Sequence, residues 1–261
     1  MQPPVDQHYD LIVIGSGFGG VMAAYPAVAA GHRVLMVERG DWVRREPANW
    51  GPEGFFELTS AYSRQTPFAV NAGEAPPALG LLTSVGGASV FYGGVSLRLR
   101  EMDFAPSPEI DPDGTAQWPF GYAELEPYYT RAEELIGVAG VAGEDPTEPR
   151  RTSDFPHEPG PLAPISVRVA TAARALGLRP FRLPLAINYQ RSETRDACRS
   201  CNTCDGFACA VSAKNDLATT AIAELCRRGM DLRAATVATR LIVEGRRVTR
   251  VEAVDRRSGQ A

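Results

Sequence analysis

The chain is 261 residues long, with 27 Lys and Arg against 31 Asp and Glu and a formal net charge of −4. At 44% hydrophobic and 22% charged it can bury one sizeable core or two smaller ones, and it carries no compositional sign of disorder. The acidic balance argues against a nucleic-acid groove, which needs clustered Lys and Arg; no apolar run reaches the roughly 18 to 20 residues of a membrane-spanning helix, and MQPPVDQHYD lacks the basic start and apolar stretch of a secretory signal, so a cytoplasmic location is the default expectation.

Residues 10–14 (DLIVI) form a short apolar run, 18–30 a helix of small residues and 33–38 a second strand, which together predict a β-α-β beginning. Pro26 falls inside that helix, where its missing N–H costs about 3 kcal/mol and predicts a kink or an early end. From Trp42 to Leu81, Pro and Gly are scattered without a sustained period, as in a long excursion over a surface or along a ligand. Ser84 to Arg100 (SVGGASVFYGGVSLRLR) reads as a glycine turn entering a strand-like alternation, and Tyr122 to Ile136 as a helix. The Pro-rich stretch from Val141 to Pro164 is expected to be extended. Ser166 is the expected N-cap of a helix ending near Gly177, and RPFRLPLAINY reads as a strand. A helix over 218–228, a strand and a hairpin around Glu244 to Arg247 complete the pattern.

The turn after the first strand carries Gly15, Gly17 and Gly20 in the spacing G-x-G-x-x-G. The first glycine permits a tight turn, the second lets backbone approach a pyrophosphate, and the third lets helix pack on strand, while the helix N-terminus offers partial positive charge. Glu38 ends the second strand, where a carboxylate can accept hydrogen bonds from both ribose hydroxyls of an adenosine. Strand, helix, strand and acid in this order predict dinucleotide binding, and the loop alone leaves NAD and FAD both open.

A second glycine-rich string, VGGASVFYGG, lies about seventy residues further on, where an NAD domain would still be alternating strands and helices. With the residues that follow, VGGASVFYGGVSLRLREMDF resembles the flavin-contacting segment of the glucose-methanol-choline oxidoreductases, in the branch that includes cholesterol oxidase and bacterial alcohol and sugar dehydrogenases. WPFGYAELEPYYTRAEELIGVAG (Trp118 to Gly140) and SAKNDL (Ser212 to Leu217) resemble further blocks of that family in the same order, and LRAATVATRLIVEG resembles its strand at the adenine edge. The resemblance implies that Gly86, Gly87, Ser89, Tyr92 and Gly93 contact FAD and that Val237 or Ala238 meets the adenine. Some members attach flavin through a His, and Phe91 and Tyr92 provide no imidazole, so non-covalent FAD is expected.

Cys198, Cys201, Cys204 and Cys209 are spaced C-x2-C-x2-C-x4-C. Thiolates two residues apart on a turn can converge on one centre, which leaves an iron-sulfur cluster, zinc, and disulfides or free thiols all open as readings. Cys226, beside Ala221, Ile222 and Leu225, reads as core.

The expected architecture is α/β: a Rossmann-like FAD-binding domain, incomplete at its C-terminal end, in segments 9–105 and 210–261, with a cap or substrate-side region over 106–209 that includes the cysteines. In the family the base that takes the hydroxyl proton is a His paired with His or Asn. His8, His32 and His157 match no such position, which leaves the catalytic residues unassigned and makes the chain resemble the N-terminal portion of a longer protein. The implied activity is FAD-dependent oxidation of a CH–OH donor (alcohol, sugar or sterol) to a carbonyl. The implied partners are a small-molecule alcohol and an electron-acceptor protein or C-terminal half, with neither nucleic acid nor a membrane span. Two other readings are a flavin-binding fragment or subunit without turnover of its own and, least favoured, an NAD-linked dehydrogenase, in which the second glycine string would have no task.

Overall fold

A computed structural model describes residues 7–46, 50, 83–105, 107, 109, 118–193, 195–201 and 203–260. Most of the excursion expected between Trp42 and Leu81 lies outside these residues. The chain divides into two compact units, Met1–Tyr92 with Thr203–Ser212 and Asp216–Ala261, and Gly93–Asn202 with Ala213–Asn215.

The first unit begins with the expected β-α-β: β1 (Leu11–Ile14), α1 (Phe18–Ala29) and β2 (Val34–Val37). All four residues of β2 are buried, as a strand covered on both faces requires. β1 pairs with it in parallel from Leu11↔Val34 to Ile14↔Val37. On the other side β3 (Asp231–Arg233) pairs in parallel from Leu35↔Asp231 to Val37↔Arg233, so β2 is the central strand.

Val21, Ala24 and Val28 repeat at helical spacing and form the buried face of α1, against a core that includes Met36, Val85, Val90, Leu217, Ile222 and Leu225. Pro26 does not end the helix early. Its missing N–H removes one bond in the last turns, whereas burying a valine stabilises by roughly 1.5–3 kcal/mol, and the Ala30 N–H still donates to the Pro26 carbonyl at 3.0 Å. The helix at 218–228 is shorter than expected, α4 (Ala221–Arg227), with Ala221, Ile222 and Leu225 inward; Cys226 packs partly buried against the same cluster. The closing hairpin is as expected: β4 (Thr236–Glu244) and β5 (Arg247–Asp255) run antiparallel to the pair Glu244↔Arg247, and Gly245, at φ +63°, opens the two-residue turn.

In the second unit α2 (Tyr122–Ile136) has the expected bounds, and Gly137 at φ +74° ends it. The next helix, α3 (Pro164–Ala175), starts before Ser166; Pro164 occupies its first turn with φ already fixed, and Ala163 is the N-cap. The strand-like readings are also corrected. Residues 84–100 contain a 3₁₀ turn (Gly87–Val90) and then no regular element, and among the described residues the pairings of the second unit are single bridges such as Val95↔Leu185 and Ile187↔Lys214. Pro180 and Pro184 supply no ladder donor.

Arg98, whose side chain is 2% exposed, organises this unit. Its Nε and Nη2 form a fork on Glu133 (2.8 and 2.7 Å), Nη1 donates to Glu126 and to the Tyr122 hydroxyl (3.0 and 3.1 Å), and Nη2 also donates to Thr130 (3.0 Å), so all five N–H donors are used. Arg151 shares Glu133 at 2.6 Å. The Thr152 N–H on Glu126, joined by Arg98 and the Thr152 and Thr130 hydroxyls, lowers that carboxyl to a pKa of about 2 against the opposing effect of burial.

Two outcomes follow. A Cβ on Gly20 would overlap the Gly15 carbonyl, whereas one on Gly19 meets nothing within 4 Å. Gly20→Ala should therefore cost roughly 2–3 kcal/mol by denaturant unfolding, and Gly19→Ala should be neutral or stabilising by up to about 1 kcal/mol. For Glu126, a folded pKa below the usual 4.5 means that its contribution to stability is present above about pH 4.5 and lost as pH falls toward about 2. Thermal midpoints across that interval should fall more steeply in the wild type than in Glu126→Gln.

Candidate cofactor-binding site

Gly15 adopts φ +96° and donates its N–H to Val37 at 2.8 Å, which folds the turn back over the end of β2. Gly17 caps α1 in extended conformation, and the first helical bond runs from the Val21 N–H to the Gly17 carbonyl at 3.0 Å. The N–H groups ahead of it form the electropositive end of a twelve-residue helix. A Cβ on Gly17 would meet nothing within 4 Å, so its outer face is open.

Glu38 is 7% exposed. Its Oε2 accepts the Ser16 N–H (3.0 Å) and the Ser16 hydroxyl (2.8 Å), and its Oε1 accepts the Gly40 N–H (2.8 Å). Ser16 Oγ in turn accepts the Gly86 N–H at 2.9 Å, tying the first glycine turn to the second. Gly86 and Gly87 both have left-handed φ, +91° and +56°, and a Cβ on Gly87 would stand 3.2 Å from the Gly17 Cα, so the turns abut backbone to backbone. A Cβ on Gly40 would overlap the Thr83 carbonyl, which explains a glycine two residues after the acid.

Gly15, Gly17, Gly20, Glu38, Gly86 and Gly87 are thus brought together within the first unit. Ser89 lies behind them, fully buried; its hydroxyl donates to the Gly86 carbonyl (2.7 Å) and accepts the Leu217 N–H (3.0 Å). Tyr92 sets its ring edge-on to Phe18 at 5.7 Å, and burial, more than the nearby Asp216 charge, raises its phenol pKa well above the ordinary value. Gly93 begins the second unit and is half-buried. Val237 and Ala238 are half-buried on β4, directly after Thr236, whose N–H donates to the Glu38 carbonyl at 2.8 Å. Ser16 and Gly40 were not singled out by sequence; the ERG step past the acid was the one available signal.

Among the described residues no disulfide joins the four spaced cysteines, of which Cys201 is exposed and Cys198, Cys204 and Cys209 are half-buried. Among the described residues, no group of three or more His, Cys, Asp or Glu is placed to hold a metal ion. Within the first unit, the chain around Cys209 is fixed through its backbone: Arg45 donates to the Cys209 carbonyl and to buried Asp216, both at 2.8 Å, and the Gly206 N–H donates to Phe91 at 2.7 Å. His8, His32 and His157 are all exposed. No helix among the described residues is long and apolar enough to cross a membrane.

A parallel β-α-β with its glycine turn at a helix N-terminus and an acid at the end of the second strand defines a dinucleotide-binding unit. The family model described as FAD binding domain matches residues 10–49. 6'''-Hydroxyparomomycin C oxidase of Streptomyces lividus is 35% identical over 264 residues, covering 98% of this chain and 46% of the relative. Paromamine 6'-oxidase of Streptomyces fradiae is 37% identical over 222 residues, 84% of this chain and 38% of the relative. An FAD-dependent oxidoreductase structure from Chaetomium thermophilum superposes with a TM-score of 0.59 at 16% identity, over 97% of this chain and 43% of its own, which shows the fold. The chain is thus similar to oxidoreductases of the glucose-methanol-choline type over nearly its whole length, and its first unit has the fold of an FAD-binding domain. It spans under half the length of the two curated relatives named above.

Both Glu38 oxygens face N–H donors. Glu38→Gln, nearly isosteric, would set an amide NH₂ against the Ser16 or the Gly40 N–H and should lower stability by about 1–3 kcal/mol in chemical denaturation, with Glu38→Ala no better.

Proposed function

We propose that this chain holds FAD non-covalently and serves the oxidation of a CH–OH group to a carbonyl. The observation that carries the reading is the abutment of two glycine turns, with open backbone at Gly17, beside a buried acid and a helix N-terminus. In this reading Gly15, Gly17 and the start of α1 receive the pyrophosphate, Glu38 accepts from the ribose, and Val237 or Ala238 meets the adenine. Gly86, Gly87, Tyr92 and Gly93 lie toward the flavin ring, and Ser89 acts from behind by fixing the Gly86 carbonyl. FAD, when bound, supplies the hydride acceptor; side-chain-poor backbone is what a flat ring requires of its surroundings. The relatives named as oxidases of 6'''-hydroxyparomomycin C and of paromamine support a hydroxylated small molecule as donor.

A second reading, flavin binding without turnover by this chain alone, is favoured by the exposure of all three histidines, His8, His32 and His157. The two separate in one anaerobic experiment, in which addition of a primary alcohol or sugar bleaches the flavin absorbance under the first reading and leaves it unchanged under the second.

Heating purified protein should release fluorescent flavin with the mass of FAD, leaving none attached to the precipitate. Folded protein that is colourless and takes up no added FAD would overturn the proposal.

A further inference from the structure

We infer that Ser16 couples the two ends of the cofactor site, so that occupancy of the adenosine end raises affinity at the flavin end. This rests on the FAD reading above and deepens it. Ser16 is fully buried, and its single hydroxyl stands between the groups assigned to opposite ends of the cofactor: it accepts the Gly86 N–H at 2.9 Å and donates to Glu38 Oε2 at 2.8 Å. A carboxylate has about four acceptor positions. On Glu38 three are taken, by the Ser16 N–H, the Ser16 hydroxyl and the Gly40 N–H.

A ribose that donates both of its hydroxyls to Glu38 therefore needs one position more than is left. The backbone N–H groups are fixed by the fold, whereas the Ser16 hydroxyl proton rotates freely about its C–O bond. A second acceptor stands within reach: the Ser84 carbonyl, 3.5 Å from Ser16 Oγ. Ribose binding turns the proton from Glu38 to Ser84, and the turn re-aims the lone pairs that receive the Gly86 N–H. Gly86 opens the second glycine turn, and its carbonyl is braced by Ser89, whose hydroxyl also holds Leu217, so the change passes into a stiff element rather than a free loop. Ser16 is thus a positioning residue. Coupling of this kind is reciprocal, because each ligand must change the other's affinity by the same factor.

The test uses the full chain stripped of flavin. FAD titration, followed by quenching of its fluorescence, first establishes that the site binds; absence of binding here defeats the functional reading itself. The affinity for FMN is then measured with and without saturating adenosine, which carries both ribose hydroxyls and overlaps no part of FMN, for the wild type, Ser16→Ala and Ser16→Cys, the last keeping the volume with only a weak donor. In the wild type adenosine should tighten FMN by about fivefold or more, the lower range of measured site-site coupling. In both variants the factor should fall to about one while FAD is still bound. A merely structural role for Ser16 would weaken both fragments and leave the factor unchanged, and that result overturns the proposal, as does absence of any adenosine effect in the wild type. A readout free of the variants is the Gly86 amide: adenosine alone should change its hydrogen-exchange protection, and an unchanged amide counts against the coupling.

Discussion

A carboxylate that is 7% exposed must be surrounded by donors, and Glu38 collects them from both sides of itself: Ser16 from the turn after β1, Gly40 from the step after β2. Its backbone is equally committed. The Glu38 N–H donates to Arg233 at 2.9 Å and its carbonyl accepts the Thr236 N–H at 2.8 Å, which aligns β3 and the start of β4 on the same residue. The remaining site geometry follows. Gly40 must be side-chain-free for Thr83 to pass, and with Thr83 in place the second glycine turn falls beside the first. One acid and its donors therefore set the relation between segments that are far apart in the chain.

The two units reach stability by different chemistry. The first closes over an apolar cluster drawn from α1, β2, α4 and the second glycine turn. The second is organised by charge: Arg98 and Arg151 share Glu133, and Arg98 also takes Glu126. Buried ion pairs often gain little over well-packed apolar residues, but removing one partner is costly because the other charge is left unpaired. Such a cluster specifies geometry more than it adds stability, and the five filled donors of Arg98 hold α2 and the chain at 98 in one arrangement.

Periodicity and glycine chemistry made much of the fold legible from sequence: the β-α-β beginning, the bounds of α2 and the final hairpin all depend on neighbours within a few residues. The start of α3 was misplaced because Ser166 outranked Pro164 as a helix-start signal, although a proline in the first turn sets φ before any cap is needed. The strand-like alternation at 179–189 had the right side chains and the wrong donors, with prolines at 180 and 184. Within the site, the glycines and Glu38 were visible because each stands at a fixed distance from a strand end. Ser16 was not, since its partner Gly86 lies seventy residues away, and |i−j| = 70 leaves no local trace. Arg98 has the same character, with partners 24 to 35 positions further on.

The strand order β1-β2-β3 carries a consequence for biosynthesis. β2 ends at Val37, and the strand that flanks it begins at Asp231. On a ribosome moving at roughly 5–20 residues per second, about ten to forty seconds separate the emergence of the two. Throughout that interval one hydrogen-bonding edge of a fully apolar strand, Val-Leu-Met-Val, waits without its partner. The stretch between is thus not only a passenger of the nascent chain but the delay during which chaperones have most reason to engage it.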